Sequence, residues 1–143
     1  LVSAAACGSG PSTAEPTTVV PSSGPFDAEA YCAQARVTDE ATRFDSTSAD
    51  ALLAEMAAAA VAERTLASLA PAEVSAAHEV LAAASEELVA GVQGRAPQTM
   101  EEVLAAVDEA WAPIEVKYGD LTVETAAVTA YVKKQCGLDI NQG

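Results

Sequence analysis

Three cysteines and one histidine are the residues of this chain that are best suited to covalent or metal chemistry. The cysteines are Cys7, Cys32 and Cys136, and His78 is the sole histidine. The sequence contains no C-x-x-C pair and no cysteine–histidine cluster, which are the spacings expected of redox-active or zinc-binding cysteines. The cysteines therefore indicate attachment or cross-linking rather than catalysis.

His78 lies between Val74 and Leu81, close to the apolar stripe of a predicted helix. Helical bundles can hold a haem iron between a histidine and a methionine, and Met56 or Met100 would supply the second ligand. No C-x-x-C-H motif accompanies it, and a single histidine on a helix is more commonly a packed residue. We therefore expect no metal site and no cofactor, with haem as the less favoured alternative.

The acidic residues occur as adjacent pairs, and adjacent residues on a helix point in different directions. The pairs are Asp39–Glu40, Glu86–Glu87, Glu101–Glu102 and Asp108–Glu109. They are typical of solvated helix faces. The sequence has no Glu-x-x-His, no G-x-S-x-G, no S-x-x-K and no glycine-rich phosphate loop. Without a nucleophile motif we expect no catalytic residues and no enzymatic activity.

Composition limits the possible partners and the fold. The 143 residues carry 7 Lys and Arg against 21 Asp and Glu, a net charge of −14 at pH 7. Proteins that bind nucleic acid gain affinity by neutralising phosphates with basic side chains, so we expect no nucleic-acid partner. Half of the chain is hydrophobic, and much of that half is alanine, which favours helices.

The first seven residues, LVSAAAC, are apolar or small up to Cys7. They are similar to the end of a bacterial signal peptide with a lipobox, in which small residues precede the cysteine that becomes lipidated. Ala4 stands where lipoboxes usually have leucine. We therefore interpret residues 1–7 as a signal-peptide end and lipobox-like segment cut from a longer precursor, and we expect membrane attachment through a lipid on Cys7.

Residues 8–25 read GSGPSTAEPTTVVPSSGP and contain four of the seven prolines. This composition is typical of a disordered tether, and residues 26–143 follow as the folded domain. If the chain is exported and Cys7 is lipidated, Cys32 and Cys136 remain as a pair. Two well-separated cysteines in an exported protein indicate a structural disulfide, which would close nearly the whole folded part into one loop.

Helix-capping residues, together with the helix-breaking residues proline and glycine, predict five helical segments in this domain. We expect helices over residues 27–44, 47–70, 71 to either 91 or 94, 99–113 and 122–138. Asp27 and Thr99 are N-caps, Glu102 completes a capping box, and Gly137 ends the last helix. The fourth helix should break or kink at Pro113, with residues 114–121 as a helical turn and a loop. Its inner side is predicted to carry Val103, Leu104, Val107 and Trp111.

A disulfide between Cys32 and Cys136 would constrain the topology, since their Cα atoms must lie within ~7 Å. An up-down bundle then needs an even number of passes. We predict an all-α, four-pass up-down bundle of four to five helices, with its last pass interrupted near Pro113–Asp120; the alternative is that one segment lies across the bundle. Trp111 and Tyr118 flank the interruption and, with His78, form a candidate ligand or partner patch, unless the aromatic side chains simply plug the bundle.

The sequence YVKKQCG at Tyr131–Gly137 completes a pattern of a lipobox-like cysteine, a tether and an Ala-rich helical domain. This pattern resembles the small exported lipoproteins of actinobacteria, most of which are uncharacterised. The resemblance implies an extracytoplasmic protein, anchored to the plasma membrane or secreted, with a disulfide-linked helical domain.

We expect a non-catalytic envelope protein that acts as an interaction or structural module with an unknown envelope protein. The alternative is an extracytoplasmic carrier that binds a small apolar molecule or haem between its helices. A large apolar cavity near His78 or Trp111 would favour the carrier. A cleft that collects ionisable groups with shifted pKa values would favour an enzyme.

Overall fold

Five α-helices make up the part of the chain that the structure describes, residues 25–140 of a computed structural model. They are α1 (Ala28–Ala41), α2 (Ala49–Leu69), α3 (Ser75–Gln93), α4 (Met100–Tyr118) and α5 (Thr122–Cys136). No strand occurs in this range, so the all-α prediction is confirmed. Cys7, the lipobox-like segment and the tether up to Gly24 lie outside the described residues.

The predicted cross-link is present. Cys32 and Cys136 are joined by a disulfide between residues 104 positions apart, and their Cα atoms are 5.3 Å apart. Cys32 lies near the beginning of α1 and Cys136 is the last residue of α5. The first and last helices are therefore fastened to each other at one end of the molecule.

Most helix ends follow the predicted caps. The Asp27 carboxylate accepts hydrogen bonds from the first turn of α1, and Thr99 and Glu102 form a reciprocal capping box at α4. Gly137 ends α5 in the left-handed conformation, with φ 67°. The second helix is capped by Ser48, one residue after the predicted start at residue 47, and its first helical residue is Ala49. These positions are set by local chemistry that the sequence displays.

The third helix does not begin at Pro71 as predicted. Residues 71–74 instead form a separate turn, in which the Ser75 amide donates to the Pro71 carbonyl over 2.9 Å. Val74 interrupts the helical backbone with φ −126° and ψ 3° and offers no side-chain cap. The helix proper therefore starts at Ser75.

The predicted break at Pro113 is also wrong, because α4 continues through Pro113 to Tyr118. A proline inside a helix removes the hydrogen bond to the carbonyl four residues earlier, here that of Glu109. Both residues are exposed, so water can hydrate the freed carbonyl and the helix survives. The interruption falls at 119–121, where Gly119 has φ 75° and ψ −154°, a conformation that is essentially restricted to glycine.

The long helices α2 and α3 pack against each other, and the other three helices are arranged around this pair. Helix α1 packs on α2 and α5, while α4 packs on α3 and, to a lesser extent, on α2. Helix α5 packs on α3 and α1. Within residues 25–140, α4 and α5 both contact α3 but do not pack on each other.

The core consists of two clusters. The disulfide-end cluster joins α1, the end of α2 and α5; its buried members are Tyr31, Ala35, Leu66, Val74, Val128, Tyr131 and Val132. The far-end cluster joins the beginning of α2, the end of α3 and α4; its buried members are Ala49, Met56, Val92, Val103, Ala106 and Ala110.

The buried face of α4 differs from the prediction. Val103 is buried as expected, but Leu104 and Trp111 are 59% and 37% exposed. The small residues Ala106 and Ala110 face the core in their place. Because α4 approaches α3 closely, alanine fits the contact, and the larger side chains lie at its edges.

Gly91 lies on α3 at this close contact with α4. A Cβ atom at Gly91 would lie 2.9 Å from the Ala110 Cβ on α4, so at least one of the two helices would have to shift. We expect Gly91→Ala to destabilise the protein by about 1 kcal/mol net, since overpacking outweighs the gain in helix propensity. Urea unfolding of the wild type, both single variants and Gly91→Ala/Ala110→Gly gives a double-mutant cycle. A coupling energy near zero would contradict the proposed contact.

Candidate functional site

A cavity of about 950 Å³ opens beside the disulfide-end cluster. Its walls come from α1, α2, α3, the last part of α4, the 119–121 connection and the first part of α5. Apolar side chains of the cluster, among them Leu66, Val128 and Val132, line its inner side. Cavities of about 300–1,000 Å³ with mainly apolar walls are typical of small-molecule sites.

Helix lengths and small side chains explain why this space is not filled. Helix α1 has 14 residues and spans about 21 Å, whereas α2 has 21 residues and spans about 31 Å. Because α1 is shorter, it leaves part of α2 and α3 uncovered. This uncovered part borders the cavity together with the 119–121 connection between α4 and α5. Alanines line several walls of this gap, namely Ala35, Ala82, Ala84 and Ala126.

Polar contacts hold α1 in place at the edge of the cavity. The Gln34 side-chain amide and the Thr38 hydroxyl both donate to the Ala62 carbonyl on α2, over 3.1 and 3.2 Å. Thr38 is buried and also donates to the Gln34 carbonyl over 3.0 Å. This wall of the cavity is therefore fixed by specific hydrogen bonds as well as by apolar packing.

His78 lines the inner side of the cavity and is only 4% exposed. Its Nε2 atom and the Tyr31 hydroxyl share a hydrogen bond of 2.8 Å, and the two rings meet edge to face. Burial lowers the pKa of His78 to about 4, although Glu79 acts in the opposite direction. Burial, aided by Tyr131, raises the pKa of the Tyr31 hydroxyl. The pair is therefore neutral at pH 7.

Glu63 on α2 places a carboxyl group in the cavity wall. Its Oε2 atom is buried without a hydrogen-bond partner among the described residues. Burial raises the pKa of this carboxyl, and a hydrogen bond from the Ser85 hydroxyl partly counteracts the effect. An unpaired buried carboxyl oxygen is costly, so a hydrogen-bond donor brought against the Glu63 carboxyl would stabilise it.

The predicted patch is only partly assembled. His78 and Trp111 line the same cavity, His78 on the inside and Trp111 from α4. Tyr118 is not part of the lining, because its hydroxyl donates to Glu87 Oε1 over 2.6 Å on another side of α3. Lys117 binds the same Glu87 oxygen. The structure thus separates Tyr118 from the other two members of the patch.

A haem site does not fit these residues. His78 Nε2 is engaged by Tyr31, Met56 packs in the far-end cluster, and Met100 is the first residue of α4. Among residues 25–140, no group of three or more histidine, cysteine, aspartate or glutamate side chains is placed to hold a metal ion. In the same range, no helix has the length and apolarity needed to cross a membrane.

The cavity does contain ionisable groups with shifted pKa values, the feature that would favour an enzyme. The largest cause of both shifts, at Glu63 and at His78, is burial. His78 uses its Nε2 atom in the bond to Tyr31, which leaves that nitrogen unavailable to a substrate in this arrangement. Burial in the cavity wall is therefore enough to account for both shifts.

Sequence reasoning overlooked Glu63, although a signal for it exists. Met56, Ala60, Glu63 and Leu66 recur at helical spacing, and all but Glu63 are buried apolar residues. A lone acidic residue in phase with a buried stripe predicts either a paired core charge or a binding site.

Comparison with known proteins adds no relative from which a function could be transferred. No protein-family model matches the chain, no curated protein matches it, and no solved structure matches its fold.

Proposed function

We propose that this protein is a non-catalytic extracytoplasmic carrier that binds a small, largely apolar molecule in the cavity beside the disulfide-end cluster. The single observation that supports this proposal is the cavity itself, with a volume of about 950 Å³ and with both His78 and Trp111 in its walls. Its apolar walls supply affinity, and the few polar groups would orient the ligand.

The remaining parts of the proposal concern location and architecture. A lipid on Cys7 and the tether of residues 8–25 would hold the carrier at the outer face of the plasma membrane, or a version without lipid would be secreted. We also propose that α4 and α5 together form the last pass of a four-pass up-down bundle. Support for this comes from their shared packing on α3 and from the short 119–121 connection between them.

Exposed apolar residues on α4 support a second candidate, an interaction module. Leu104 and Trp111 are seven positions apart, so they lie on the same side of the helix, and both are exposed. A partner envelope protein could cover this side. In that case the cavity would be an incidental gap, and small apolar molecules would not bind in it with defined stoichiometry.

Binding of a neutral apolar dye distinguishes the two candidates. We expect N-phenyl-1-naphthylamine to bind the full chain saturably, one molecule per chain, with a Kd on the order of micromolar. Thr125 is exposed and lines the cavity, whereas Ala127 is exposed on the opposite side of α5. Thr125→Phe should fill the opening and weaken dye binding at least about ten-fold, while Ala127→Phe should leave it unchanged.

Dye binding that did not saturate would contradict the carrier. Equal dye affinity of the Thr125→Phe and Ala127→Phe variants would also contradict it. Native mass spectrometry of the protein recovered from its producer's envelope tests the anchor separately. A diacylglycerol mass on Cys7 would support attachment, and an unmodified cysteine would contradict it.

A further inference from the structure

We infer that the ligand of this cavity is a cationic amphiphile, an alkylammonium-type molecule whose charged nitrogen lies toward Glu63 and whose apolar body occupies the alanine- and valine-lined space. This inference rests on the proposed carrier function and adds the chemical class of the cargo.

The charged side chains that line the cavity are all acidic. Four carboxylic acids line the cavity, Asp39, Glu63, Glu115 and Asp120, and no lysine or arginine does. Arg43 pairs with Asp39, but that arginine is largely exposed and does not line the cavity. His78 is neutral because burial lowers its pKa to about 4. An apolar cleft lined by one sign of charge concentrates ligands of the opposite sign.

The net charge of the whole chain adds to the negative potential of the cavity. Its net charge is −14 at pH 7, so a cationic ligand is attracted from a distance and an anionic one is repelled. Long-range attraction is screened within about 8–10 Å at physiological salt. Discrimination inside the site must therefore come from the carboxyl groups in the wall.

Among the carboxyl groups that line the cavity, Glu63 is the best suited to bind the charged end of a ligand. Its Oε2 atom is buried and has no hydrogen-bond partner within residues 25–140. Asp120, by contrast, already accepts hydrogen bonds from the Thr122 amide and hydroxyl, and Asp39 binds Arg43. Burial raises the pKa of Glu63 and so disfavours its charged form. A cationic nitrogen beside the carboxyl would favour that form and supply the missing hydrogen-bond donor.

Trp111 supplies a second element of cation recognition. It lies in the cavity wall contributed by α4 and remains 37% exposed. The face of a tryptophan ring attracts ammonium groups more strongly than other aromatic rings do. An entering cation would therefore meet a tryptophan side chain and carboxyl groups, and no lysine or arginine of the lining would oppose it.

Three probes with one tail test the inference: octylamine, which is protonated at pH 7, octanoate and 1-octanol. Each would displace N-phenyl-1-naphthylamine from the full chain at neutral pH. We expect octylamine to displace the dye at a concentration at least about ten-fold lower than octanoate, with octanol between them. Equal displacement by all three, or a preference for octanoate, would overturn the inference while leaving the carrier intact. Displacement by none of them would overturn the inference too, whereas the carrier itself is contradicted only if the dye does not bind saturably.

Glu63→Gln identifies the group responsible. The glutamine keeps the shape of the side chain and removes its charge, and retained binding of the neutral dye shows that the variant is folded. We expect octylamine to displace the dye about ten-fold less effectively, with no change for octanol.

Glu55→Gln is the matched control for Glu63→Gln, because Glu55 is on the same helix and also has an unpartnered buried Oε2 atom. It accepts a hydrogen bond from Ser46 and does not line the cavity. An unchanged preference in Glu63→Gln, or the same loss in Glu55→Gln, would overturn the role of Glu63.

Discussion

Replacing both cysteines of the disulfide, Cys32→Ser/Cys136→Ser, should lower the free energy of unfolding by about 4–5 kcal/mol. The bond closes a loop between residues 104 positions apart, and the loss of chain entropy on closing a loop of that size corresponds to this amount. The total stability of a domain of this size is about 5–15 kcal/mol. The disulfide would therefore supply at least about a quarter of it.

The core explains why so much should depend on one bond. Many of its buried residues are alanines, which remove little apolar surface from water, and the core is divided into two clusters. Only the disulfide-end cluster contains residues of both α1 and α5. Without the cross-link, these helices would be held mainly by Tyr31, Tyr131 and Val132 and by the hydrogen bonds of α1 to α2.

Urea unfolding in the presence and absence of reductant measures this effect. The wild type should lose stability when it is reduced, and the double-serine variant should not respond to reductant at all. Cys7→Ser in both proteins removes exchange with the third thiol. A loss below about 1 kcal/mol would show that α1 and α5 are held almost entirely by packing.

Acidification from pH 6.5 to pH 4 should remove up to about 3 kcal/mol of stability through His78 alone. Its pKa is lowered from an ordinary value of 6.5 to about 4 in the folded protein. Between these two values the unfolded chain binds a proton at His78 and the folded protein does not. Stability therefore rises with pH across this window, is complete above pH 6.5, and falls as the pH approaches 4.

His78→Gln isolates this contribution. The variant also loses stability at neutral pH, because the contacts with Tyr31 are altered, but it can no longer gain a proton at this site. The difference in unfolding free energy between wild type and variant should shrink by about 3 kcal/mol from pH 7 to pH 4. The carboxyl groups, Glu63 included, titrate in both proteins and cancel in the difference. Parallel curves would contradict the burial of a neutral histidine.

Local signals made the helices predictable. The caps at Asp27, Thr99 and Gly137 depend on residues within a few positions, and the structure confirms each of them. The disulfide was predictable from the number and separation of the cysteines. Pro113 was not, because the effect of a proline inside a helix depends on whether the freed carbonyl faces water, and that is decided by packing elsewhere in the chain.

The site was predictable only in part, because a cavity is a property of distant segments. His78 and Trp111 were expected near one another and do line one cavity, but Tyr118 is held away by its bond to Glu87. The opening itself results from the length of α1 relative to α2 and from the place where α4 ends. Neither a residue type nor a spacing reports such a mismatch of lengths.

The position of the disulfide also determines how the protein would respond to mechanical tension. The described chain begins just before Asp27 and ends just beyond Cys136, so both of its ends lie close to the cross-link. A pull between them would pass along a few residues at each end and through the bond between the sulfur atoms. The helices between the two cysteines, which supply every residue of the cavity wall except Ile140, would carry no load, and this part of the cavity would keep its shape.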